Sequence, residues 1–353
     1  MRLLRWAGGA FLLAALGSAS AAVPVRLAVV GDSDSHAYHD ALHYPGSDGR
    51  RGGAFHATTF QWTEWLHHLR RTEVDQGSWG RYGVHPLLAR LGDGLGWSTR
   101  TPEKEDFAYN FAVSGAGCDD LMEGRRQVPR LARLMEDSPA QWRDGIVVIR
   151  IGVNSFGQQD SLARLAGDPR DPAVHAQIDR CIAAVRAAIE RLRQGRPGLR
   201  MVLVGVFDNS QISEGLQRRY SRRALQSIGR ALDRYDAALE AMVKTDPRLA
   251  FFDDRAWFAA HWGGRANDGT PAYRDVVLGG IRVGNTQGDA PCHAVLADGH
   301  AGTAWNGLWA QALVELMDRR FNAGITPIRD AELVPLVRAG IRLPAATKAC
   351  ARP

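Results

Sequence analysis

The sequence predicts an α/β protein, a three-layer α/β/α sandwich around a central, mostly parallel sheet. Three observations predict it. Short apolar runs recur along the chain, helix-like stretches separate them, and small polar turns follow several of the runs. Strands that alternate with helices form parallel sheets through right-handed crossovers. Continuously apolar, β-branched strands suit a sheet covered on both faces.

The first element is a leader. Arg2 and Arg5 precede an apolar stretch from Trp6 to Leu16, followed by small residues from Gly17 to Ala22. This has the charged, apolar and cleavage regions of a secretory signal peptide, with Ala19-Ser20-Ala21 as the cleavage signal. An apolar core this short falls below the ~20 residues that span a bilayer. Residues 1–22 are therefore expected to be removed, leaving a periplasmic or extracellular protein with no stable membrane insertion.

Val25 to Val30, Phe111 to Val113, Ile146 to Ile151, Met201 to Val206 and Leu249 to Phe252 read as strands. Leu121 to Met135, Ala173 to Arg193 and Gln217 to Val243 read as helices, and Arg196-Pro197-Gly198 breaks the second before the next strand. In such folds ligands bind at the carboxyl ends of the strands. Gly31-Asp32-Ser33, Ser114-Gly115 and Gly152-Val153-Asn154 each follow a predicted strand, so all three should gather at one edge. Between residues 36 and 105 lies a long aromatic-rich insertion, in which "TTFQWTEWLHHLRR" reads as an amphipathic helix with Trp62 and Trp65 in the core. Its remaining aromatics are expected to form a lid or wall over the site.

Composition narrows the function. The chain has 353 residues, 45% of them apolar and 23% charged, as folded proteins do. The net charge of +6 falls to about +4 without Arg2 and Arg5 and is dispersed, which gives no nucleic-acid footprint. Cys118, Cys181, Cys292 and Cys350 form an even set without C-x-x-C spacing. Export permits disulfides, and four cysteines leave three pairings open.

Together, the Gly31-Asp32-Ser33 turn, "NFAVSGAG" with Asn110 and Gly115, Gly152-Val153-Asn154, and "GHAGTAWNGLWA" with His300 resemble the four ordered blocks of the SGNH (GDSL-type) hydrolases. The resemblance spans roughly residues 25 to 320. It implies a flavodoxin-like sheet within a hydrolase domain over 23–325, followed by a C-terminal extension over 326–353. It also implies an esterase that needs no cofactor or metal and acts on a small-molecule, glycan or lipid ester; the leader makes it a secreted one, expected to be a monomer. Ser33 would be the nucleophile and His300 the base that takes its proton. The N–H groups of Ser33 and Gly115 and the Asn154 amide would form the oxyanion hole. Histidines 36, 39, 43, 56, 67, 68, 85, 261 and 293 read as solvated or incidental.

The spacing of the acid departs from the family pattern. That pattern is Asp-x-x-His, whereas "LADGHAG" puts Ala297 three residues before His300 and Asp298 two before it. Asp298 is the expected acid because Gly299 permits a tight turn. Asp289 or a Ser-His dyad are the alternatives. Two other functions fit parts of the pattern. "GDSDSH" offers Asp32, Asp34 and His36 to a binuclear metallophosphoesterase, but the later blocks of that family are missing. A non-catalytic carbohydrate-binding scaffold would not need Ser33, Gly115, Asn154 and His300 together.

Overall fold

The computed structural model describes residues 23–95, 99–212, 220–266 and 270–351. The leader, Trp97 and the predicted helix start at residues 217–219 lie outside the described residues. Among the described residues five strands form the central sheet: β1 (Val25–Gly31), β2 (Val74–Asp75), β3 (Ile146–Arg150), β4 (Arg200–Val204) and β5 (Leu249–Phe252). Their order is β2-β1-β3-β4-β5 and every pairing is parallel. This is the doubly wound flavodoxin-like order, whose switch point between β1 and β3 is where ligands bind.

Alternation along the strands divides the core in two, because successive side chains point to opposite faces. Leu27, Val29, Ile146, Val148, Val202 and Val204 face helices Trp62–Arg70 and Thr303–Phe321. Ala28, Val30, Val147, Ile149, Met201 and Leu203 face helices Gln127–Glu136, Pro172–Arg193 and Arg222–Thr245. Trp62 and Trp65 are fully buried in the first core, as their helical spacing predicts.

Two predicted elements differ. Phe111 to Val113 is not a strand; it is tied to β1 by a bridge between Val29 and Asn110 and by bonds such as Val113 N–H to the Gly31 carbonyl, 3.0 Å. Its backbone still runs alongside β1, with the Phe111 N–H on the Val29 carbonyl at 2.8 Å, and its side chains alternate between the two cores, Phe111 and Val113 in the second and Ala112 in the first. The helix predicted over 121–135 is broken into Asp119–Met122 and Gln127–Glu136, with Arg126 between them in the left-handed region at φ 50°. Gln127 then reaches back to β1, its side chain both donating to and accepting from the Gly31 backbone at 2.8 Å.

The cysteines pair as Cys118–Cys181 and Cys292–Cys350. The first ties the loop after Gly115 to the long helix beneath it. The second anchors the C-terminal helix Pro344–Cys350 just before the strand that leads to Asp298. Residues beyond 325 are woven into the body: Ile328, Leu333 and Val337 join the first core, and Arg70 pairs with Glu332 at 2.8 Å.

A buried ion pair supports the turn after β1. Arg150 donates to Asp254 at 2.9 Å and to the Asp34 carbonyl at 2.9 Å, with its guanidinium 4.4 Å from the Trp309 ring centre. Trp309 donates to the other Asp254 oxygen at 2.8 Å. Removing one partner strands a buried charge, which typically costs about 3–5 kcal/mol. Asp254→Ala is therefore expected to lose about that much in urea unfolding, and a loss below about 1 kcal/mol would show the pair to be incidental.

Candidate active site

The turn after β1 is held rigidly. The Asp32 N–H donates to the Arg150 carbonyl at 3.3 Å, and the Asp32 carbonyl accepts from the Ser35 N–H at 3.1 Å. The Asp32 side chain accepts from the Asp34 N–H at 3.0 Å, Trp62 donates to the Asp34 carbonyl at 3.0 Å, and Asn110 donates to the Ser35 carbonyl at 2.7 Å. Burial, reinforced by the charge of Asp34, pushes the Asp32 carboxyl well above its ordinary range. On this constrained turn, Ser33 lines a cavity of about 230 Å³.

Asp298, Gly299 and His300 line the same cavity. Asp298 Oδ1 lies 3.1 Å from His300 Nδ1 and also accepts the His300 N–H at 3.1 Å. Gly299 makes this possible at φ 89°, a conformation L side chains rarely adopt. A two-residue separation thus brings carboxylate and imidazole together in place of the usual three. Asp289 is directed elsewhere, accepting the Ala297 N–H at 3.0 Å, and burial raises its carboxyl.

A cation that the sequence did not single out completes the cluster. Arg51 Nη1 donates to Asp298 Oδ2 at 2.6 Å and also contacts His300 Nδ1. Its Nη2 donates to Ser114 Oγ at 3.2 Å, and its guanidinium lies 4.4 Å from the Tyr44 ring centre. Arg51 is only 2% exposed and sits at φ 49°, a strained conformation for a residue with a side chain. Burial alone would raise the Asp298 carboxyl, but its hydrogen bond to His300 and the charges of His300 and Arg51 outweigh that. They hold it below the usual carboxylate range.

Gly115 lies at φ 77°, and a Cβ built there would meet no atom within 4 Å. The turn opens onto free space. Among the described residues, neither the Ser33 N–H nor the Gly115 N–H has an acceptor in the protein. Asn154, in the short helix Val153–Phe156, donates from Nδ2 to the Ala116 carbonyl at 3.0 Å and accepts from Gln158 at 2.9 Å. Its amide nitrogen is thus turned toward the Gly115 turn with a second N–H to offer. Neither Gly115 nor Asn154 belongs to the cavity lining itself, which Asp34, Val153, Gln158, Gln159, Leu162, Asn209, Ile212 and Tyr220 complete.

Two expectations need correction. Among the described residues, the aromatics of the 36–105 insertion do not line this cavity; Tyr38 and Tyr44 instead flank Arg51. His36 is not solvated. It is fully buried and lies with Asp40 and His43 in the only cluster of three such side chains, among the described residues, close enough to hold an ion. Asp32 and Asp34 do not join it.

A model of the GDSL-like lipase/acylhydrolase family matches residues 27–249. The chain belongs to that family. GDSL-like acylhydrolases act on ester bonds, and the match begins in β1 and ends at β5. The chain is similar to a solved Bacillus subtilis protein at 12% identity and TM-score 0.42, covering 86% of this chain and 58% of that one, so it spans little more than half of that relative. It is also similar to a lipase from a goat rumen metagenome (11% identity, 83% and 97% coverage, TM-score 0.40) and to phospholipase A1 from Streptomyces albidoflavus (12%, 83% and 99%, 0.36). No curated protein sequence matches the chain. No described helix is long and apolar enough to cross a membrane.

Proposed function

We propose that this GDSL-like acylhydrolase is an exported serine esterase that removes short acyl groups from polar, hydroxyl-bearing carriers such as glycans. The observation that carries the reading is the single cavity lined jointly by Ser33, Asp298 and His300. Ser33 Oγ attacks the ester carbonyl as His300 Nε2 takes its proton, while Asp298 holds the Nδ1 side of the ring. The oxyanion is received by the N–H groups of Ser33 and Gly115 and by Asn154 Nδ2. His300 returns the proton to the leaving alkoxide. Water, activated by the same imidazole, then releases the acid and regenerates Ser33.

The size and lining of the cavity support a short acyl group. About 230 Å³ is below the ~300–1,000 Å³ of drug-sized pockets. Val153, Leu162 and Ile212 offer an apolar patch for the acyl methyl or methylenes, while Gln158, Gln159, Asn209 and Tyr220 offer polar partners for a hydroxylated leaving group. The leader-like sequence and the two disulfides support export.

Aryl esters of graded acyl length test this. The expected kcat/KM for p-nitrophenyl acetate exceeds that for the dodecanoate by at least about tenfold, since each enzyme–transition-state difference of 1.4 kcal/mol is worth that factor. A preference for the long chain would overturn the substrate reading in favour of lipid esters. Labelling by a fluorophosphonate, mapped by mass spectrometry, is expected at Ser33.

A further inference from the structure

The cluster of His36, Asp40 and His43 has the residue types of a metal site, but its hydrogen bonds describe something else. His36 Nδ1 faces the Ser114 N–H at 3.0 Å and the Tyr44 hydroxyl at 3.1 Å. A backbone N–H can only donate, so Nδ1 is an acceptor and the ring proton sits on Nε2. That proton is given to Asp40 Oδ2 at 2.8 Å. Asp40 is itself fixed, accepting from His43 Nδ1 at 2.7 Å and from the Leu42 and Glu105 N–H groups at 3.0 and 3.1 Å. A cation on Nε2 would have to displace the ring's only proton. Burial, with the charge of Lys104, drives the His36 ring down to about 3, so it stays neutral.

Ser114 is the second residue of a turn closed by the Ala116 N–H on the Val113 carbonyl at 3.0 Å. Gly115 occupies the third position with φ 77°, as a type II turn requires. The Val113 N–H ties one side of this turn to the Gly31 carbonyl, one residue before Asp32. Arg51 holds the Ser114 hydroxyl. His36 takes the backbone N–H of Ser114.

We infer that His36, oriented by Asp40, is a positioning residue for catalysis: by accepting the Ser114 N–H it sets the direction of the neighbouring Gly115 N–H toward the developing oxyanion. The inference rests on the reading of Gly115 as an oxyanion donor given above. Without His36 the Ser114 N–H would be left without its partner, a state that costs about 1–3 kcal/mol when buried. The turn would rotate toward water and carry the Gly115 N–H out of line. Loss of one oxyanion donor lowers turnover by about 10²–10³.

The test compares His36→Leu and His36→Gln on p-nitrophenyl acetate, with Ser33→Ala as control. His36→Leu is expected to lower kcat by about 10²-fold with KM within about twofold, because the donor matters chiefly in the transition state. Gln can accept from Ser114 and donate to Asp40, so His36→Gln is expected to stay within about fivefold of wild type. Binding of an aryl boronic acid, which adopts a tetrahedral oxyanion on serine, should weaken in parallel with kcat in the Leu variant while binding of the product acid is unchanged. Equal kcat in the Leu variant and wild type overturns the inference, as does a KM rise that accounts for the whole loss. Should the Leu variant fail to fold, long-range proton–nitrogen NMR of the wild type decides: an unprotonated Nδ1 on His36 is expected, and a protonated one overturns it. One metal ion per chain, with activity lost to a chelator, would likewise overturn it by making the trio a cation site. If Ser33→Ala remains active, it is the esterase reading that fails, and this inference with it.

Discussion

Ser33→Ala is expected to reduce hydrolysis of p-nitrophenyl acetate by at least about 10⁴-fold, with the melting temperature within a few degrees of wild type. The size follows from the mechanism. No acyl-enzyme forms without Ser33 Oγ, and nucleophile deletions in serine hydrolases remove all but the residual contribution of the oxyanion hole and binding. Stability should hold because the backbone of the turn carries its anchoring, through the Arg150 carbonyl, Ser35, Asn110 and Trp62. Labelling by the fluorophosphonate should vanish with activity. Retention of more than about one-tenth of wild-type turnover by the folded variant would remove Ser33 from the mechanism and leave a water-activating route in its place.

Much of this was legible because order along the chain carries topology. Apolar runs at β1, β3, β4 and β5 are long enough to show their continuity, and each turn that follows them reaches the same edge. β2 was invisible for the opposite reason: Val74–Asp75 is two residues long and has no periodicity to read. Phe111 to Val113 shows the limit of hydrophobicity as a signal, since a short apolar run that lies alongside β1 without being a strand has the composition of one that is. Ser33 and His300 could be singled out from the resemblance of the ordered motif blocks, and Asp298 because it stands two residues before His300. Arg51 could not. In "DGRRGGAF" it reads as a solvated loop charge, and its partner Asp298 is 247 residues away. His36 likewise finds Ser114 across 78 residues. A buried polar residue is identified by what it meets in space, which a local pattern does not record.

The second large effect concerns Asp298, and Arg51 changes how it should be read. Asp298→Asn is expected to lower kcat by at least about 10²-fold with KM nearly unchanged; in serine proteases the corresponding change costs about 10⁴-fold through the wrong histidine tautomer. Here His300 Nδ1 faces both Asp298 Oδ1, which can only accept, and Arg51, which can only donate. When Nδ1 bears a proton directed at Asp298, Nε2 is free to take the Ser33 proton. When Arg51 donates to Nδ1, the proton moves to Nε2 and the ring cannot serve as the base. The carboxylate settles this competition twice over, by drawing the Nδ1 proton and by engaging Arg51 through Oδ2 at 2.6 Å. In Asp298→Asn the guanidinium loses its charge partner and is left to the imidazole. Arg51→Met in that background should therefore recover part of the lost turnover, about tenfold, even though the same change alone lowers activity by releasing Asp298. Such opposite signs are the coupling expected of residues in one network. Asp289→Asn should stay near wild type, its carboxylate being directed at the Ala297 N–H. If Asp298→Asn remains within a few-fold of wild type while Asp289→Asn collapses, the acid is Asp289. If the Arg51 and Asp298 effects simply add, Arg51 clamps the loop without influencing the tautomer of His300.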